Sequence, residues 1–131
     1  DEIDIVINRG CVLRNDWQQL YDEVREFKEI AKEKKIKAIL GVGDLETLRN
    51  VAKASLVCMM AGADFVKTST GKEKINANLN NRLVMLRMIR EFYNHTGKRI
   101  GFKPAGGIST AKGVLEFLIL MAQECVLMMV A

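Results

Sequence analysis

The chain has one proline and one histidine among its 131 residues, and 49% of those residues are apolar. That composition excludes a proline-rich linker and a disordered, low-complexity segment. No apolar run reaches the roughly 18 residues of a membrane span, and the pattern gives no reason to expect a basic-then-apolar leader. The three cysteines, Cys11, Cys58 and Cys125, are odd in number and have no Cys-x-x-Cys spacing. Neither a disulfide framework nor a zinc site fits them, and a reducing cytoplasm is the expected setting. No His, Cys or Asp cluster has the spacing of metal ligands, so neither a metal nor another cofactor is expected. The formal charge of +4 is small and evenly spread. It argues against a nucleic-acid partner and leaves room for an anionic small molecule.

What is present is a strict alternation of short apolar runs and amphipathic stretches. The pattern predicts one domain over residues 1–131, built from four βα units without a linker or sequence repeat. Strands are expected over Ile3–Asn8, Ile36–Gly41, Asp64–Thr68 and Ile100–Lys103. Helices are expected over Asp16 to about Lys34, Leu45–Met60 and about Leu79–His95, with a last one capped by Ser109 or Thr110. Such alternation implies parallel strands with right-handed crossovers.

Alternation within the strands says more. Ile3, Ile5 and Ile7 share one face while Asp4, Val6 and Asn8 share the other. Lys37, Lys67 and Lys103 likewise stand opposite apolar neighbours on their own strands. A doubly wound sheet buries both faces and reads apolar throughout. A barrel with a functional interior explains the asymmetry better, and its active site would lie at the C-terminal strand ends.

Two lysines stand where a buried strand should carry no charge. Lys67 lies in Phe65-Val-Lys-Thr-Ser-Thr-Gly-Lys72, and Lys103 in Gly101-Phe-Lys-Pro-Ala-Gly-Gly107. An ammonium at a buried strand end is costly without a task. A pair on consecutive strands suits a Schiff-base lysine beside a second cation that tunes it. Two ammonium groups about 6 Å apart repel by roughly 2.8 kcal/mol at an effective dielectric of about 20, which favours the neutral, nucleophilic amine. Taken singly, either lysine could equally snorkel to solvent.

These two segments, with Asp1-Glu-Ile-Asp-Ile-Val-Ile-Asn8 and Ala61-Gly-Ala-Asp64 in order upstream, resemble the deoxyribose-phosphate aldolases, a family of class I aldolases. The resemblance runs from residue 1 to about residue 120. It implies an α/β fold, a partial (β/α)8 TIM barrel holding the family's strands four to seven. It further implies reversible cleavage of 2-deoxy-D-ribose 5-phosphate to acetaldehyde and D-glyceraldehyde 3-phosphate. By that resemblance Lys67 is the Schiff-base nucleophile, and Lys103 and Asp4 move protons. Asp4 has an alternative reading as a partner that merely neutralises Lys37 or Lys103. Lys37 fits structural pairing as well as it fits substrate binding.

Thr70, Gly71 and Lys72 after the third strand, and Gly106 and Gly107 after the fourth, are the candidates for holding the phosphate. They do not form a Walker loop, because Glu73 follows Lys72 and Val66 stands where that motif needs glycine. Asp1, Glu2 and Asp64 read as a solvated rim on the face away from the chemistry. His95 reads as a helix cap before Gly97, Cys58 as inert core, and Met59, Met60, Met85 and Met88 as core filler.

A whole barrel of this kind needs about 250 residues, so four units should leave two open strand edges. The apolar C-terminal stretch Met121–Ala131 departs from the family and suggests a shortened product. Homo-oligomerisation or other self-association through those edges is therefore expected. The competing readings are a catalytically incomplete fragment that packs with itself or a longer partner, and a phosphate-binding barrel without covalent chemistry.

Overall fold

The computed structural model describes residues 1–74, 78–106 and 109–130, with residues 125–130 as backbone only. Along the chain run β1 (Glu2–Val6), α1 (Arg9–Leu13), α2 (Trp17–Ala31), β2 (Lys35–Ile39), a 3-10 turn (Val42–Asp44), α3 (Leu48–Met60), β3 (Phe65–Lys67), α4 (Leu79–Thr96), β4 (Gly101–Lys103) and α5 (Ala111–Val130). Polar side chains set the helix starts. Asp16, Thr47, Asn78 and Thr110 each accept from the backbone N–H three residues on, covering a donor that the first turn leaves open. At the other end of α4, Gly97 takes a φ of 71° and returns its N–H to the Tyr93 carbonyl.

The four strands pair in parallel in the order β1-β2-β3-β4. That order has no reversal point, unlike a doubly wound sheet. Successive helices pack against one another, α2 on α3, α3 on α4 and α4 on α5. The sheet therefore carries one helical layer. This is α/β architecture with the strand sequence of half a (β/α)8 barrel wall.

Ile5, Ile7, Ile36, Ala38, Leu40, Val66 and Ile100 form the helix-covered face. They pack with Leu20, Val24, Val51, Ala54, Cys58, Met59, Met85, Leu86 and Ile89 in one contiguous core. Each sealed Leu or Ile contributes about 1.5–3 kcal/mol through burial, so this face supplies most of the driving force for folding. The flanks are less covered. Phe27 and Ile30 of α2 are 41% and 71% exposed and share a surface with Ile3 at the β1 edge. Val114, Leu115, Leu118 and Ile119 are likewise exposed on α5.

Several boundaries differ from expectation. β1 ends at Val6 because Asn8 leaves the ladder and accepts from Gly10 N, opening the unforeseen helix α1. α3 begins at Leu48 rather than Leu45, since Val42–Asp44 is a 3-10 turn and Thr47 is the cap. α2 stops at Ala31, where Lys32 turns to a φ of 57°. Met60 is 56% exposed and is not core. Thr110, not Ser109, caps α5. Among the described residues no helix is long and apolar enough to cross a membrane.

Candidate active site

Strand register decides which side chains meet. Asp4, Lys37, Phe65 and Gly101 stand in one row across the sheet. The next row toward the C-terminal ends is Val6, Ile39, Lys67 and Lys103. Strand parity turns both rows away from the helices. Lys67 and Lys103 are thus direct neighbours on adjacent strands, which lie about 4.8 Å apart.

Asp4 ties the rows together. One carboxylate oxygen lies 3.0 Å from Lys37 Nζ and the other accepts from Lys67 Nζ at 3.1 Å. Lys37 also pairs with Glu2 at 2.9 Å. Burial by itself would push the Asp4 carboxyl up, but the hydrogen bonds from Lys37 and Lys67 outweigh it and hold its pKa below the ordinary value. Glu2 is lowered by its hydrogen bond from Lys37. Lys37 is raised, chiefly by Glu2 and then by Asp4. Its ion pairs with Glu2 and Asp4 hold it as a cation. Lys103 is exposed and makes no ion pair with a carboxylate among the described residues, so Asp4 engages Lys67 rather than Lys103.

Glu2 was expected on a solvated rim away from these residues. It stands two residues before Asp4, and so on the same face of β1, with its carboxylate on Lys37. Asp64 also departs from that expectation. It accepts from Lys28 Nζ at 2.7 Å and from Ile36 N at 3.0 Å, bracing α2 and β2 at the start of β3. Burial opposes its ionisation, yet these donors keep its pKa below the ordinary value. Both signals were legible, one in strand parity and the other in an acidic residue before a strand.

The floor beneath the lysine row is shaped by Phe65. A Cβ at Gly101 would lie 2.1 Å from the Phe65 ring, so only glycine fits opposite it. Above the row, the loops after β3 and β4 are stitched together. Thr68 Oγ1 accepts from Ala105 N at 2.8 Å and donates to the Ala105 carbonyl at 3.2 Å, while Ser69 Oγ donates to the same carbonyl at 2.8 Å. Thr68 and Ser69 had no predicted role. The signal for them was two hydroxyls immediately after the lysine of β3.

Beyond the stitch, Gly71 (φ 91°) and Gly106 (φ 76°) turn through left-handed backbone, and a Cβ on Gly71 would sit 3.9 Å from Gly106 N. The two glycine turns therefore face one another. Thr70 accepts from Lys72 N at 3.4 Å, closing the first turn, and Lys72 is exposed. Gly107 lies outside the described residues. The N-terminus of α5 follows the second turn and favours an anion. Among the described residues no three His, Cys, Asp or Glu side chains are grouped as metal ligands. Burial, followed by the nearby Glu23 charge, pushes the Cys58 thiol up to about 12, which makes it inert. His95 Nδ1 lies 2.8 Å from the Glu91 carbonyl at the end of α4, away from the lysines.

The family model for DeoC/LacD family aldolases matches residues 1–124. The chain belongs to this aldolase family. It is 55% identical to human deoxyribose-phosphate aldolase over 123 residues, and 56% identical to the mouse enzyme of that name. Each match takes in 94% of this chain and 39% of the relative, so this aldolase-family chain spans about two fifths of their length. An apo-form crystal structure from Toxoplasma gondii ME49 superimposes with a TM-score of 0.84 at 25% identity, covering 95% of this chain and 49% of that one. QR15, an aldolase, gives 0.74 at 24% identity, covering 91% and 50%. These likenesses agree with the half-barrel reading of the sheet.

Proposed function

We propose that this chain carries the Schiff-base site of a class I aldolase acting on 2-deoxy-D-ribose 5-phosphate. The observation that carries the proposal is the Asp4 carboxylate on Lys67, with Lys103 in register beside that lysine. The Lys67 amine attacks the C1 aldehyde of the open-chain sugar and water leaves, giving an iminium. The C3 hydroxyl then loses its proton, the C2–C3 bond breaks, and its electron pair moves toward the iminium nitrogen. D-Glyceraldehyde 3-phosphate departs and an enamine remains. Protonation at C2 and hydrolysis release acetaldehyde and free Lys67.

Asp4 and Lys103 would carry those protons, directly or through water. Lys103 would stand beside the Lys67 amine, in register on the next strand. Lys37, held by Glu2 and Asp4, would fix the carboxylate and present a cation to the sugar. Thr70, Gly71, Lys72 and Gly106, with the start of α5, would receive the phosphate. Gly107 follows in sequence. Two free, buried cysteines fit a reducing cytoplasmic setting.

Borohydride reduction with acetaldehyde tests the reading. A two-carbon adduct is expected on Lys67 alone. An adduct on Lys103 would reverse the two assignments, and the absence of any adduct would remove the covalent reading.

A second reading, that of a self-associating and catalytically incomplete unit, is favoured by the apolar side chains exposed on both flanks, Ile3, Phe27 and Ile30 on one and Leu115, Leu118 and Ile119 on the other. Sizing by light scattering separates the two. An assembly larger than a monomer without adduct supports the second reading, and a monomer with adduct supports the first.

A further inference from the structure

Arg9 opens α1 immediately after β1, yet its side chain does not stay there. It crosses the backbone of Gly41 in the turn after β2, where a Cβ would lie 2.7 Å from Arg9 Cδ. Gly41 also has a φ of 66°, so two independent constraints keep a side chain out of the path. The guanidinium then pairs with Asp44 in the turn after β2 and lies 3.6 Å from Glu73 in the loop after β3. One side chain thus connects the loops that follow three consecutive strands. A planar guanidinium offers five N–H donors in a fixed fork and can serve two carboxylates at once, which an ammonium does less well.

Glu73 directly follows Lys72, the cation proposed above for the phosphate. An uncompensated carboxylate there would repel a dianion, and a loop without an anchor would present its N–H groups less consistently. The loop is already held on its β4 side by the Thr68 and Ser69 hydrogen bonds to Ala105. Arg9 adds an anchor on the other side through its contact with Glu73. We propose that Arg9 is a positioning residue for phosphate recognition: bridging Asp44 and Glu73, it fixes the Gly71–Glu73 turn and neutralises the carboxylate beside the phosphate. This rests on the aldolase reading for its ligand, while the geometry of the brace is independent of it. Arg9 is not itself the phosphate ligand, because its charge is committed to two acids.

The test uses the whole chain with inorganic phosphate as probe, following the Gly71 and Lys72 amide resonances during titration. Arg9→Met should raise the phosphate dissociation constant about fivefold, the effect expected of partly exposed ion pairs. The amides of Gly71–Glu73 should exchange faster with solvent, while those of the β1–β2 ladder should not change. Gly41→Ala, which displaces the Arg9 side chain, should weaken phosphate in the same direction. Arg9→Lys should recover part of the affinity. Borohydride capture of acetaldehyde, which has no phosphate, should stay within about twofold of the parent in Arg9→Met, well short of the phosphate effect.

Unchanged phosphate affinity in Arg9→Met, or unchanged exchange of the Gly71–Glu73 amides, would overturn the proposal. So would an equal loss of capture and phosphate binding, which marks a general folding defect. If the unaltered chain gives no phosphate response at Gly71 or Lys72, the inference falls. Capture at Lys67 would still report separately on the aldolase reading.

Discussion

Ile5, Ile36, Ala38 and Val66 are sealed between the sheet and its helices, while one residue away on the same strands Asp4, Lys37 and Lys67 share two hydrogen-bonded contacts on the open side. The first group is held by area removed from water and is indifferent to detail within its volume. The second is held by charge and register, so a one-residue slip would exchange the two sets completely. Apolar packing and charge pairing thus lie on opposite faces of one sheet, and substitutions can address them separately.

The sharpest way to break that separation is at Lys67. Lys67→Leu should abolish the borohydride-trapped adduct at every pH. It should change stability by less than about 1 kcal/mol, because the lost partner contact is a partly exposed ion pair. An adduct that survived would place the chemistry elsewhere. On the covered face the expected pattern is the reverse. Leu20 is fully buried, and Leu20→Ala should cost about 2–5 kcal/mol in urea unfolding. At permissive temperature its folded fraction should still form the adduct.

Gly101 lies on the open face but obeys packing. Gly101→Ala drives a methyl into the Phe65 ring and should cost about 1–3 kcal/mol, with Phe65→Leu relieving part of it. If the alanine variant were as stable as the parent, the floor of the site would be loose rather than packed.

The smallest expected effect is pH-dependent and concerns Asp64. Its folded pKa lies below the ordinary carboxylate value of 3.8, so its stabilisation is present above that range and disappears as pH falls through the folded value. Asp64→Asn should therefore be less stable than the parent at neutral pH, by about 1–2 kcal/mol from its charged hydrogen bonds, and the gap should close in acid. A gap that persisted after the Asp64 carboxyl had become protonated would mean that packing, not charge, holds the contact with Lys28.

Much of this was legible beforehand because strands have a period of two. The placement of Asp4, Lys37, Lys67 and Lys103 away from the helices follows from counting alone. Counting also included Glu2, but its carboxylate was assigned to a rim although it shares a face with Asp4. What counting does not supply is reach between strands. Asp4 meets Lys37 directly across the sheet, whereas its contact with Lys67 skips β2 and depends on the stagger of the rows. The Arg9 brace was invisible for a related reason. It joins positions 9, 44 and 73 through three loops, and no periodicity links them. Element ends were misjudged where a side chain captured a backbone donor, as Asn8 and Thr47 do.

The double hydrogen bond between Thr68 and Ala105 has a consequence for anyone exchanging these loops. The segments after the two lysine strands are mechanically one part, since the same hydroxyl grips both the N–H and the carbonyl of its neighbour. Exchanging residues 68–74 alone would leave Ala105 without its partner and shift the opposite turn. Residues 68–74 and 104–106 should be transplanted together, as a matched cassette, with the strands beneath left untouched.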